Sequence, residues 1–102
     1  MLTTKIIEDN GNIIVMAEGK IDAITFAKLD KELESVLPNA KSLTLDVKNV
    51  DYISSAGLGV ILSAQQYMEG KDLPDVKVIN INETVKDIFM MTGFDELVDA
   101  EM

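Results

Sequence analysis

Between residues 42 and 69 the hydrophobic period changes from two to about 3.6, and that change sets what the chain can become. Leu43, Leu45 and Val47 alternate with Thr44 and Asp46, as on a strand with one buried face. Leu58, Ile61, Leu62, Gln65 and Met68 then recur at the spacing of a single helix face, and Gly70 ends the run. A strand and a helix that each bury only one side must pack against other elements in a layered domain.

The flanking segments supply the other layers. Thr4 to Glu8 and Asn12 to Glu18 are partly alternating runs around Asn10-Gly11, the turn chemistry of a β-hairpin. Phe26, Leu29, Leu33 and Leu37 have helical spacing, with Asp22 as a cap and Pro38-Asn39 as a stop. The sequence predicts a loop from Lys48 to Ser55, a helix from Ala56 to Glu69 and a strand from Val76 to Ile81. A third helix follows from Glu83 to Thr92, stopped by Gly93, and a short helix occupies the tail from Phe94 to Met102. The expected fold is α/β, a single domain over residues 1–102 with a mixed four- to five-stranded sheet in the order ββαβαβα(α).

Composition narrows the chemistry. The chain has no cysteine and no histidine, which removes Ser-His and Cys-His nucleophile pairs, disulfides and most zinc sites. We expect no metal, no cofactor and no enzymatic activity. The nine basic residues are scattered in a chain of net charge −9, so neither a nucleic acid backbone nor an anionic membrane surface is an expected partner. No apolar run approaches the roughly 18 residues that span a bilayer, and the start lacks a secretory pattern; the expected location is cytoplasmic.

Parallel strands joined by crossovers gather the loops at their carboxyl ends along one edge, where binding sites favour forming. That edge should carry Asp22, Ser54, Ser55, Asn80 and Asn82. Ser55 is expected immediately before the second helix, among backbone N–H groups without carbonyl partners. Its hydroxyl can serve as an N-cap there, or it can accept a phosphate that those donors would meet. Gly57 and Gly59 each cost about 1 kcal/mol in a helix, so each needs a reason. They either leave the helix start bare for a partner's backbone or let the helix pack tightly on the sheet.

The stretch Tyr52 to Leu62, read YISSAGLGVIL, together with GKID at Gly19 to Asp22, LTLD at Leu43 to Asp46 and MTGF at Met91 to Phe94, resembles the STAS domain of bacterial anti-sigma factor antagonists. The likeness runs in order along nearly the whole chain. It implies that Ser55 is a phosphorylation site and that Asp22, Ser54, Ser55, Ala56, Gly57, Leu58 and Gly59 face a partner. It further implies that the partner is an anti-sigma factor, a serine kinase of the histidine-kinase-like ATPase type. Binding by the unphosphorylated form would release a sigma factor, and a phosphatase would restore that form. Ser54 stands where the family commonly has an acidic residue, and Ala56 where it has a hydroxyl residue. Two alternatives are an unphosphorylated STAS scaffold in a transport ATPase or signalling assembly, and a nucleotide-binding enzyme reading GLG as a fingerprint. The latter lacks its third glycine, the position being Leu62.

Overall fold

A computed structural model describes residues 1–102. Strands β1 (Leu2–Asp9) and β2 (Asn12–Ile21) are followed by helix α1 (Phe26–Val36), β3 (Ser42–Ile53), α2 (Ser55–Gly70), β4 (Lys77–Ile79), α3 (Glu83–Thr92) and β5 (Asp99–Ala100). Short 3₁₀ turns occupy Leu37–Asn39 and Phe94–Glu96. The five strands lie in the order β1-β2-β3-β4-β5. The β1/β2 pair is antiparallel and the other three pairs are parallel. The expected mixed α/β architecture is what forms.

Asn10 and Gly11 both adopt positive φ, 53° and 85°, so a two-residue type I′ turn joins β1 to β2. Thereafter the sheet grows in one direction, and right-handed crossovers deliver all three helices to the same face. Burial follows that rule. Ile13, Val15 and Ala17 of β2, with Leu43, Leu45 and Val47 of β3, join one continuous core with Leu29 and Leu33 of α1, Ile61 and Met68 of α2, and Phe89 of α3. Ile14, Met16, Thr44 and Asp46 occupy the opposite face and stay half-exposed. No helix is long and apolar enough to cross a membrane.

One polar side chain belongs to that core. Gln65 is 2% exposed, and its amide donates to Glu69 Oε1 at 3.0 Å and to Asp75 Oδ1 at 2.8 Å, while its Oε1 accepts from Val76 N at 2.7 Å. Both its N–H groups and its carbonyl oxygen are thus paired, the bonds to Asp75 and Val76 fixing the entry to β4, so burial carries no unpaired polar atom.

Three expectations need correction. Lys48 to Ile53 is strand, because β3 keeps pairing with β2 through two bulges that absorb extra residues around Val47-Lys48 and at Asp51. Those bulges break the alternation that would otherwise have marked the segment. The tail is a 3₁₀ turn followed by β5, since Asp99 N bonds Val76 O at 2.9 Å and Glu101 N bonds Val78 O at 2.9 Å. Two residues are too few to show a period. Helix α1 starts only at Phe26, after a turn over Asp22 to Thr25.

Candidate functional site at the β2–β3 rim

The carboxyl ends of β2 and β3 finish side by side, with Ile21 opposite Ile53. One main-chain bond, Ser54 N to Ile21 O at 2.8 Å, then ties the start of α2 to the end of β2. The turn carrying Asp22 and the helix start carrying the serines therefore share one rim.

The two serines divide two jobs. Ser54, not Ser55, is the N-cap of α2: its backbone is extended and its Oγ accepts from Gly57 N at 3.3 Å, while its carbonyl accepts from Leu58 N at 2.9 Å. Ser55 is the first helical residue, is exposed, and its hydroxyl has no protein partner. The amides of Ser55 and Ala56 precede the first intrahelical bond, so they remain as donors at the positive end of the helix.

Asp22 is organised by the turn that follows it. Its Oδ1 accepts from Ile24 N at 2.9 Å and Thr25 N at 3.0 Å, and its own amide donates to Thr25 Oγ1 at 2.9 Å. The Thr25 hydroxyl in turn donates to Lys20 O at 2.7 Å. The amides of Ile24 and then Thr25 hold the Asp22 carboxyl below its ordinary pKa, so it is ionised at neutral pH. Those bonds fall on Oδ1, leaving Oδ2 with no protein donor.

The two glycines separate as well. A Cβ on Gly57 would lie 2.7 Å from Ile21 Cγ2, 2.8 Å from Ile21 O and 2.9 Å from Ile53 Cγ2. Of the two reasons the sequence offered, close packing of α2 on the strand ends is the one that holds for Gly57. Leu58 is also buried, at 9% exposure, and offers its side chain to the core. Around Gly59 no atom lies within 4 Å of an added Cβ, so this glycine does leave open surface one turn above Ser55. Ala56 is half-buried between them.

Asn80 and Asn82 do not join the serines. Asn82 caps α3 by accepting from Val85 N at 3.0 Å and donates to Val50 O at 2.8 Å; Asn80 donates to Asp46 Oδ2 at 3.1 Å. Because β3 runs on past β4, Val50 lies four residues short of Ser54, roughly 13 Å along the strand. Two other residues do belong to the rim. Ile24, 88% exposed, stands in the Asp22 turn, and Tyr52, 44% exposed, lies opposite Lys20 at the end of β3. An apolar residue isolated in the turn Asp22-Ala23-Ile24-Thr25 was the available signal for the first.

The rim and the sheet order define a STAS domain, and the STAS domain family model matches residues 3–102. The chain belongs to that family. It is similar to the anti-sigma-B factor antagonist of Bacillus subtilis (strain 168), with 26% identity over 92 residues, covering 90% of this chain and 84% of that protein. Its fold is that of an anti-sigma factor antagonist from Mycobacterium paratuberculosis, at a TM-score of 0.82 and 20% identity, covering 98% of this chain and 85% of that one. The phosphorylated form of the Bacillus cell fate determinant SpoIIAA superposes with a TM-score of 0.75 at 11% identity, covering 98% and 92%.

Proposed function

We propose that this chain is a cytoplasmic, non-enzymatic anti-sigma factor antagonist whose binding surface is the β2–β3 rim, switched off by phosphorylation of Ser55. The observation that carries the reading is the division of labour between the serines. Ser54 caps the helix, so the exposed Ser55 hydroxyl can be modified without removing a bond that holds the fold. The partner is an anti-sigma factor that also acts as the serine kinase, of the histidine-kinase-like ATPase type, and a phosphatase reverses the modification. Similarity to named anti-sigma factor antagonists supports the partner class.

A phosphate at Ser55 adds nearly two negative charges that would face any partner carboxylate docked on the rim. Two unit charges at about 5 Å in an effective dielectric of about 20 repel by roughly 3 kcal/mol. A thousandfold loss of affinity needs about 4 kcal/mol, so local repulsion with steric exclusion suffices without refolding. The exposed Ile24 and Tyr52 at the ends of the same two strands would supply apolar contact area.

The test is binding of the cognate anti-sigma factor by calorimetry, with phosphosite mapping after incubation with that kinase and ATP. Ser55→Asp abolishes binding, Ser55→Ala binds persistently, and Ser54→Ala still accepts phosphate. Phosphate on Ser54 or Thr44 alone, or undiminished binding by Ser55→Asp, refutes the switch.

A further inference from the structure

The rim leaves the other end of the strand order unused. β1 is eight residues long, has β2 on one side and no strand on the other, and carries two exposed isoleucines, Ile6 and Ile7, at 36% and 42%. A long edge of this kind is a template for a further strand unless it is short, bulged or covered. β1 pairs with β2 without a bulge over its whole length.

The hairpin shows which backbone groups are free. A two-residue turn closes on a mutually hydrogen-bonded pair, here Asp9 with Asn12, and such pairs recur at every second residue. The bond from Lys20 N to Met1 O at 3.3 Å keeps the same phase at the far end. Odd-numbered residues of β1 therefore face β2, and the N–H and C=O groups of Leu2, Thr4, Ile6 and Glu8 point outward. Lys28 Nζ already covers Leu2 O at 2.9 Å, and the Thr4 side chain bonds Glu32. The uncovered stretch centres on Ile6 to Glu8.

We propose that two copies of this chain pair antiparallel through β1, about a twofold axis at Ile7, to form one continuous ten-stranded sheet. A twofold axis normal to the sheet keeps residues of like parity opposite one another. Centred on Ile7, it sets Ile6 and Glu8 of one copy into four main-chain bonds with Glu8 and Ile6 of the other. On the open face, Ile7 meets Ile7, extending the Ile7–Ile14 cross-strand pair into a row of four isoleucines. Lys5 of each copy then stands opposite Asp9 of the other. Charge selects this register. Centred on Ile6, Lys5 would face Ile7; centred on Lys5, the two ammonium groups would meet. Each copy carries −9, and Lys5 is the only cation on β1, so the pairing that matches it to a carboxylate is favoured.

Sedimentation equilibrium on the whole chain between about 10 μM and 1 mM reads the association. The expected result is a monomer–dimer equilibrium that Lys5→Asp weakens by at least about tenfold and that the double exchange Lys5→Asp with Asp9→Lys restores. Both changes are on exposed positions, and circular dichroism confirms that each variant is folded. Amide hydrogen exchange adds a local readout: Ile6 and Glu8 slow as concentration rises, whereas Ile7, already bonded to β2, does not change. A monomer at 1 mM, a dimer indifferent to the charge exchange, or Ile6 and Glu8 amides that ignore concentration overturns the proposal. Loss of anti-sigma factor binding by Ser55→Asp is independent of each of these outcomes.

Discussion

Replacing Gly57 by alanine puts the packing at the rim to a quantitative test. The new methyl carbon would stand 2.7 to 2.9 Å from two isoleucine methyl carbons and from Ile21 O, about 1 Å inside ordinary contact. The side chains can rotate away, but the Ile21 carbonyl is pinned by the Ser54 amide at 2.8 Å. Overpacking of this kind costs about 1–3 kcal/mol, against which alanine returns up to about 1 kcal/mol of helix propensity. The net expectation for Gly57→Ala is a loss of about 1–2 kcal/mol, lowering Tm by roughly 5–15 °C in a domain of this size. Gly59→Ala, built into open space, gains up to about 1 kcal/mol instead. Thermal melts followed by circular dichroism, with urea titrations for the free energies, measure both. A Gly57→Ala protein that melts at or above the wild type refutes the packing argument.

Ser54→Ala removes the α2 cap and is expected to cost about 1 kcal/mol in urea denaturation, whereas Ser55→Ala stays within about 0.5 kcal/mol of wild type. Gln65→Leu strands the Val76 amide and leaves the Glu69 and Asp75 carboxylates without their shared donor; a loss of about 2–3 kcal/mol is expected in the same assay. The Asp22 carboxyl titrates below its ordinary value when folded, so its stabilising contribution is complete above the unfolded pKa and disappears as pH falls through the folded one. NMR titration of that carboxyl should show the lowered midpoint, and the stability difference between wild type and Asp22→Asn should shrink as the solution is acidified through that range.

The elements with long, unbroken periods were legible in the sequence: the Asn10-Gly11 hairpin, the alternating first half of β3, α2 and α3. What was hidden has local causes. Lys48, Asn49 and Asp51 look like loop residues, and only pairing with β2 across two bulges makes their segment a strand. β5 exists through bonds to Val76 and Val78, a tertiary effect that two residues cannot encode. At the rim, the sequence marked Ser55 and Asp22 but did not fix which serine caps the helix, because either one suits an N-cap and only the backbone geometry decides. It could not separate Gly57 from Gly59 either, since one faces Ile21 and the other faces nothing.

The overrun of β3 beyond β4 makes the upper part of the sheet a cantilever. β4 stops alongside Asp46, whereas Ile53 continues beside Ile21, so the last residues of β3 before α2 have β2 as their strand neighbour, with Asn82 bonded to Val50 O on the other side. Fraying of the two-residue β5, which pairs with β4 alone, therefore breaks none of the strand bonds at the end that displays Ser55.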